Sequence, residues 1–436
     1  MFVLVHKSSL QGKLQVPGSK SHTIRAILLA TLSQGKSIIN NPLLSGDGES
    51  AIEAAKGFGA KVTLLDHQLI IEGRGIPLCV PEKGIDTRNS GTTTSFVTTM
   101  ATLTEGETFI TGDEQIQKRP IQVLVDALRS MGSDVSIIRA NSLAPPLIVK
   151  SGLYGGKVSL DGFNSQFVSS LLLSSPLARS RTEISVSNPL EKPYIQMTLD
   201  WMRRFGATVQ SNEPEYTRFI VEGNQQYKSG RFTISSDWSA VAFPLVAALV
   251  SDSHLTITGL DFSDTQGDKR VVDLLIEMGA DISKDTIAGT LAVSGGKKLK
   301  GGLVIDLGDI PDALPALCVA SLCSDGMTTF TNLAHVRVKE SDRVLVMAEE
   351  LGKLGAKITI GDDHMNVYGG LPLHEGNVES HGDHRVAMAL TAAALMAGGD
   401  VQINDASCTE VSYPNFFASF IQAGAAIVIH DDEVAP

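Results

Sequence analysis

A glycine turn that ends a helix recurs six times along this 436-residue chain, and it limits the possible folds more than any other feature. Each copy is an amphipathic stretch that closes with a hydrophobic residue and glycine and then enters a strand-like run, as in RRFGATV and IEMGADI. The six glycines lie 69–76 residues apart: Gly59, Gly132, Gly206, Gly279, Gly355 and Gly424. Glycine is favoured here because it adopts the left-handed conformation of a helix cap. The spacing predicts an array of equivalent structural units.

A second pattern alternates with the first: a polar turn, then a helix of small and apolar residues, then a strand. Its copies begin at KSHTIRAILLATL, NSGTTTSFVTTMATL, NSQFVSSLLLSSPLA, DWSAVAFPLVAALV, PDALPALCVASLC and DHRVAMALTAAALM. Helices that are apolar on nearly every side are expected to be buried. The chain is too long for one domain, so we predict an α/β (α+β) fold of six units, three in each of two lobes. We place residues 18–232 in one lobe and residues 1–17 plus 233–436 in the other.

Composition excludes several functions. The net charge of −12 disfavours a broad nucleic-acid or anionic membrane surface, although a cleft can still be locally basic. The longest apolar stretch, VAMALTAAALMAGG, is too short to span a membrane. Four cysteines without a CxxC pair, and no recognisable signal peptide, predict a cytoplasmic protein. His381 and His384 lack a third ligand cluster nearby, so no metal site is expected.

Charged and polar residues concentrate at the starts of the second set of helices. Free backbone N–H groups and a partial positive charge make helix starts attractive to anions. The residues concerned are Lys20, Ser21, Arg25, Gly91, Ser165, Gln166, Asp312, His384 and Arg385, and further charges lie near repeat junctions at Arg119, Lys339, Glu340 and Arg343. Each alone is explained by helix capping or by a solvated ion pair. Their recurrence at equivalent positions predicts that they converge on a cleft between the lobes and bind a small anion.

The motifs together resemble the enolpyruvyl transferase family, from end to end of the chain. They are PGSKSHTIR, NSGTT, GDEQIQKRPI, SQF, EKPYIQMTLDW, TQGDKRVVDLLIEMGA, IPDALPAL, RVKESDR, GDHRVAMAL and CTEVSYPNF. The first motif reads SKS and not the SKN of the branch that acts on UDP-N-acetylglucosamine, so the resemblance favours the branch that acts on shikimate 3-phosphate. It implies a two-lobed inside-out barrel of βαβαββ units. It also implies small-molecule partners only, phosphoenolpyruvate and shikimate 3-phosphate, with no metal or organic cofactor, and a monomer.

The resemblance implies an addition–elimination reaction of the chorismate pathway, in which the enolpyruvyl group passes to the 5-hydroxyl of the acceptor and phosphate is released. It assigns proton transfer to Asp312, Glu340 and Lys20, with His384 close by. It assigns phosphoenolpyruvate binding to Lys20, Gly91, Arg119, Gln166, Arg343 and Arg385. It assigns acceptor binding to Lys20, Ser21, Arg25, Ser165, Gln166, Tyr194, Asp312 and Lys339.

Several positions depart from the family pattern. Ser95 and Val411 replace an arginine and a lysine of the phosphoenolpyruvate side, and Arg88 is a candidate to restore one positive charge. Asn164 and Glu191 replace two serines that normally hold the acceptor's 3-phosphate, and Glu191 is expected to repel it unless Lys192 or another cation compensates. Three alternatives therefore stay open: a paralogue that uses another, unphosphorylated cyclic polyol acid; a non-catalytic anion-binding relative; and an RNA-end cyclase, which the acidic composition disfavours.

Overall fold

The chain divides into two compact units in a computed structural model that describes residues 1–431. The continuous unit is Gly18–Ile234, and the split unit combines Met1–Pro17 with the described part of Ser235–Pro436. The predicted boundary at residue 232 lies inside a strand, Arg231–Thr233, that pairs with strand Gln34–Asn40 of the continuous unit. Each unit has its own hydrophobic core.

Both predicted helix patterns are present in each unit. The continuous unit contains α1 (Lys20–Leu32), α2 (Asp47–Gly57), α3 (Gly91–Ala101), α4 (Gln122–Ser130), α5 (Ser165–Ser174) and α6 (Lys192–Arg204). The split unit contains α7 (Trp238–Val250), α8 (Arg270–Glu277), α9 (Leu314–Leu322), α10 (Arg343–Lys353), α11 (His384–Ala394) and α12 (Phe416–Gln422). The even-numbered helices end at the six repeated glycines, all of which have φ between 85° and 105°. The predicted left-handed caps are therefore confirmed.

The odd-numbered helices are buried almost throughout, as predicted from their lack of a polar face. Every residue of α7 and of α11 is buried, and the same holds for α9. In the split unit α7, α9 and α11 pack against one another; in the continuous unit α3 contacts both α1 and α5. Three apolar helices thus lie at the core of each unit, and their starts bring polar and charged side chains to that core.

Three four-stranded sheets surround the central helices of the continuous unit. Its strands are β3 (Gln34–Asn40), β4 (Lys61–Leu65), β5 (Gln68–Arg74), β6 (Ile85–Asp86), β7 (Glu107–Thr111), β8 (Val135–Ile137), β9 (Leu147–Lys150), β10 (Gly156–Asp161), β11 (Thr182–Ser187), β12 (Gln210–Ser211), β13 (Arg218–Val221) and β14 (Arg231–Thr233). The strand orders are β14-β3-β5-β4, β6-β7-β9-β8 and β10-β11-β13-β12. In each sheet the first pair is parallel and the other two are antiparallel.

The split unit repeats this arrangement with strands from both ends of the chain. Its strands are β1 (Phe2–Val5), β2 (Gln11–Gln15), β15 (His254–Thr258), β16 (Asp281–Asp285), β17 (Thr290–Ser294), β18 (Leu299–Lys300), β19 (Val304–Asp306), β20 (Ser324–Asp325), β21 (Met327–Thr331), β22 (Lys357–Ile360), β23 (His364–Tyr368), β24 (Gly376–Glu379), β25 (Val401–Asn404) and β26 (Ile427–His430). Its four-stranded orders are β2-β15-β17-β16, β19-β21-β23-β22 and β24-β25-β1-β26. Strand β1 is central in the last sheet, where Val3 lies between Ile403 and Ile429.

A further glycine recurs where a strand passes the C-terminus of a buried helix, and the sequence analysis did not detect it. A Cβ on Gly295 would lie 1.9 Å from the carbonyl oxygen of Ala248 and 2.1 Å from that of Ser251, at the end of α7. Equivalent approaches to backbone oxygens occur at Gly73, Gly223 and Gly369. Only glycine permits such close contact between strand and helix.

We predict that Gly295→Ala lowers the free energy of unfolding by about 2–3 kcal/mol, because rigid backbone oxygens cannot move aside for the new methyl group. Gly352→Ala in α10 is the matched control, since nothing lies within 4 Å of a Cβ at that position. That variant is expected to be neutral or slightly stabilising. Urea denaturation of both variants measures the difference, and equal stabilities would contradict the steric explanation.

Candidate active site

The predicted site residues of the split unit meet around the guanidinium of Arg343, which opens α10 and is fully buried. Its Nη1 donates to Asp312 Oδ1 over 2.7 Å, its Nε donates to Asp383 Oδ2 over 2.8 Å, and its Nη2 donates to Glu340. Arg385 Nη2 lies 2.9 Å from the other oxygen of Asp312. We call Asp312, Glu340, Arg343, Asp383 and Arg385 the Arg343 cluster.

The helix starts position this cluster. Asp312 lies in a 3₁₀ turn, Pro311–Ala313, directly before α9. Asp383 is the N-cap of α11 and accepts the Arg385 amide through Oδ1, at 2.9 Å. His384, also predicted, is the first residue of α11 and is 1% exposed. The motif GDHR places Asp383 at this helix start beside His384 and Arg385, but the sequence analysis assigned it no catalytic or binding role.

Charge pairing fixes the ionisation of the cluster. Burial alone would lower the pKa of Arg343, but the carboxylates of Asp383, Glu340 and Asp312 outweigh it and hold that pKa above its usual value. Burial would likewise raise the pKa of Asp383, yet the Arg343 charge keeps it below its usual value, with Glu340 opposing and His384 assisting. Arg343 and Asp383 therefore stay ionised as a pair at neutral pH.

A second buried carboxylate, Glu350, holds the loop that leads to Asp383. Glu350 lies in the last turn of α10 and is 1% exposed. Its Oε1 accepts from His381 Nε2 at 2.8 Å, and its Oε2 accepts from Lys353 Nζ at 2.7 Å and from the Glu379 amide at 2.9 Å. Helix α10 is thus attached to the β24–α11 connection at both ends, through Arg343 and through Glu350.

The predicted residues of the continuous unit form two smaller groups. Lys20 opens α1, and its Nζ lies 3.0 Å from Asp47 Oδ2 at the start of α2. Both side chains are largely buried, with exposed fractions of 13% for Lys20 and 7% for Asp47. Asp47 was not predicted, because no local pattern connects it with a residue 27 positions earlier.

Gly91, Arg119 and Gln166 form the second group. A Cβ on Gly91 would lie 2.8 Å from Arg119 Nη1 and 3.6 Å from Gln166 Oε1, so the guanidinium passes directly over the start of α3. Arg119 Nη2 donates to Asn89 Oδ1 at 3.3 Å, and Gln166 Nε2 donates to Thr92 Oγ1 at 3.1 Å. A cation, an amide and a helix N-terminus thus lie together, as an anion site requires.

Arg25 links α1 to α6 in the continuous unit and is 1% exposed. Its Nε donates to Thr198 Oγ1 at 2.8 Å, its Nη1 to the Ser21 carbonyl at 3.0 Å, and its Nη2 to the Tyr194 carbonyl at 3.2 Å. Its predicted contact with an acceptor stays a prediction, and so do those of Ser21 and Tyr194. The same applies to Lys339, which is half-buried beside Glu340.

The departures from the family pattern have definite structural outcomes. Arg88 pairs with Glu49, with 3.1 Å between Nη2 and Oε1, and its suggested role of restoring a positive charge for phosphoenolpyruvate stays a prediction. Ser95 donates back to the Gly91 carbonyl within α3 at 3.0 Å. Val411 is half-buried at the end of a 3₁₀ helix, Ala406–Val411.

Residues 1–431, which the structure describes, were searched for metal-binding clusters and for membrane-spanning helices. No cluster of three or more His, Cys, Asp or Glu side chains in that range is placed to hold a metal ion. Within the same range, no helix combines the length and the apolar character that crossing a membrane demands.

The fold and the Arg343 cluster define an α/β repeat protein with a buried cluster of paired acidic and basic side chains. Residues 5–420 match the family profile described as EPSP synthase (3-phosphoshikimate 1-carboxyvinyltransferase), and the chain belongs to that family. It is 40% identical over 427 residues to the 3-phosphoshikimate 1-carboxyvinyltransferase of Ruminiclostridium cellulolyticum, covering 98% of this chain and 99% of the relative. The enzyme of the same name from Methanosarcina acetivorans is 39% identical over 430 residues, with the same coverage.

Solved structures agree with this assignment. The EPSP synthase of Acinetobacter baumannii superposes with a TM-score of 0.82 at 26% identity, covering 99% of each chain. The enolpyruvyl transferase NikO of Streptomyces tendae gives a TM-score of 0.79 over 98% of each chain, and at 18% identity it supports the fold alone. The predicted fold class and family are confirmed.

We predict that Glu350→Gln lowers the free energy of unfolding at pH 7 by about 1–3 kcal/mol, because it removes charged hydrogen bonds at a buried position. Burial would raise the pKa of Glu350, but the bonds from His381, Lys353 and the Glu379 amide lower it below its usual value. Its stabilisation is therefore complete above the unfolded pKa, about 4.3, and is lost as the pH falls through the lower folded value.

Denaturant titrations between pH 7 and pH 3 measure this difference. The exposed neighbour Glu349→Gln is the control and should change stability by less than about 0.5 kcal/mol. A Glu350→Gln deficit that stays constant down to the lowest pH would show that the carboxylate charge is not responsible.

Proposed function

We propose that this chain transfers the enolpyruvyl group of phosphoenolpyruvate to the 5-hydroxyl of shikimate 3-phosphate and releases phosphate. The observation that carries the proposal is the Arg343 cluster, in a chain that matches its family over nearly its whole length. In the cluster, two carboxylates of the predicted acid–base set are within hydrogen-bonding distance of one buried guanidinium. Such an arrangement suits proton transfer beside an anionic substrate.

Phosphoenolpyruvate carries a carboxylate and a phosphate, so its binding needs cations that remain charged. Arg343 meets this need because the carboxylates around it raise its pKa. Arg385 presents a second guanidinium, and guanidiniums bind carboxylate and phosphate through paired N–H donors. We assign Lys20, Arg119 and Gln166 to the same ligand, together with the backbone amide of Gly91. Ser21, Arg25, Ser165, Tyr194 and Lys339 are assigned to the acceptor.

In the first step the methylene carbon of phosphoenolpyruvate gains a proton, and the acceptor oxygen bonds to the adjacent carbon. We propose that Asp312 takes the hydroxyl proton, because Arg343 and Arg385 hold its two oxygens in place. Glu340 or Lys20 supplies the proton to carbon, with His384 close to the cluster. In the second step a methyl proton returns to the protein, the C–O bond to phosphate breaks, and phosphate leaves with the electron pair. The same groups thus alternate as acid and base.

The proposed reaction is tested by mixing the protein with phosphoenolpyruvate and shikimate 3-phosphate and following phosphate release together with product mass. We predict that Asp312→Asn lowers kcat by about 10²- to 10⁴-fold, because the amide cannot accept the proton. Asp325→Asn, at an exposed position of the same unit, should leave kcat unchanged. Thermal unfolding of both variants confirms folding. Absence of turnover by the unmodified chain would exclude the proposed reaction.

Gly91→Ala tests the assignment of Arg119. The added methyl group displaces the end of a flexible side chain and not backbone, so stability should change little. We predict that KM for phosphoenolpyruvate rises about tenfold while kcat stays within about twofold, since a charge-assisted contact is weakened. Initial-rate measurements at saturating acceptor give both constants, with Gly352→Ala as the control. An unchanged KM would place Arg119 outside the phosphoenolpyruvate site.

A cytoplasmic location and a monomeric state stay predictions, as does the meeting of the two sets of residues in one cleft. The free cysteines are those expected in a reducing compartment: Cys79, Cys318, Cys323 and Cys408. Size-exclusion chromatography with light scattering measures the oligomeric state directly.

A further inference from the structure

Glu191 is a buried carboxylate at a position where the chain has to take an unfavourable backbone conformation. The residue is 2% exposed and precedes α6, with φ 52° and ψ 39°. Left-handed geometry costs a non-glycine residue of this kind on the order of 1 kcal/mol, and it persists only where surrounding contacts require it. The contacts of its side chain therefore need an explanation.

Those contacts connect the starts of two helices. Glu191 is itself the residue before α6, and its Oε2 accepts from the hydroxyl of Ser165 at 2.5 Å and from the Ser165 amide at 3.3 Å. Ser165 is the first residue of α5. First-turn amides are where a helix attracts a bound anion, and here a side chain of the protein supplies one.

A buried cation belongs to the same environment. Burial lowers the pKa of Arg25 to about 10, an effect that electrostatic interactions with Tyr194 and Glu191 partly offset. Arg25 and Glu191 are also joined through α6, because Arg25 bonds to Thr198 and to the Tyr194 carbonyl. An anionic group brought to Ser165 would thus find the amide, the hydroxyl and part of the neighbouring positive charge already committed to Glu191.

We propose that Glu191 is an internal competitor for the acceptor's phosphate, and that it sets how strongly the protein prefers a phosphorylated over an unphosphorylated acceptor. A phosphate gains the Ser165 donors only by displacing the carboxylate, and two anions placed side by side there repel each other. An acceptor with a hydroxyl at that position meets no repulsion and can donate to Glu191. Glu191 is therefore a specificity-determining residue. This inference rests on the proposed function, since it assumes an acceptor that carries phosphate.

The test compares Glu191→Ser, which removes the carboxylate, with Glu191→Gln, which keeps its size and its ability to accept from Ser165. Both should lower KM for shikimate 3-phosphate by about tenfold or more relative to the unmodified chain, with kcat changed less than about threefold. KM for shikimate, assayed as the unphosphorylated acceptor, should not fall. Glu215→Gln removes a charge from an exposed position of the same unit and should have no effect on either constant.

A binding measurement separates this inference from the reaction itself. Inorganic phosphate, titrated calorimetrically without other substrates, should bind both Glu191 variants at least about tenfold more tightly than it binds the unmodified chain. If neither acceptor is turned over but phosphate binding improves in this way, the proposed reaction fails and the role of Glu191 stands. If shikimate 3-phosphate is turned over and both variants leave phosphate affinity and KM unchanged or weakened, the inference is overturned and the proposed function stands.

Discussion

A helix that is buried on nearly every side carries most of its charge near its start, and this constraint governs the whole molecule. The central helices of each unit are largely apolar along their length. The residues at their starts must therefore accept hydrogen bonds from the free backbone N–H groups and also provide the side chains that could bind or react with a substrate. Asp383 illustrates the combination, since it caps α11 and also binds Arg343. Because a buried charge without a partner is costly, each of these groups appears with an opposite charge beside it.

The ion pairs have a further role in the proposed reaction. Lys20 is held by Asp47, and Arg343 by its three carboxylates, through contacts within the protein itself. Preorganised charge does not have to reorient when new charge develops during reaction, which is a principal source of catalytic acceleration. The energy needed to hold such groups together comes from the surrounding core, in which Val344 and Met347 of α10 are completely buried.

The repeat, the helices and most of the central cluster could be predicted from sequence, because each rests on a local signal. Gly279 and Gly355, for example, indicate helix ends because glycine readily adopts the left-handed conformation. The remainder could not, because it depends on contacts between distant residues. Nothing near Lys20 identifies Asp47 as its partner, and nothing near Glu191 indicates that it reaches Ser165. Gly295 was missed for a related reason: the carbonyl oxygens that exclude a side chain there belong to a helix more than 40 residues earlier.

The place of β1 has a consequence for synthesis on the ribosome. The continuous unit has all of its strands once residue 234 has emerged, because β14 pairs with β3 and completes the first sheet. Strand β1 emerges earliest, yet it pairs with β25 and β26, roughly 400 residues later in the chain. Until β25 and β26 have been synthesised, this apolar strand is unpaired and can form incorrect pairs with other strands. Its short length of four residues limits that hazard, and the closing of the last sheet is the step that translation delays most.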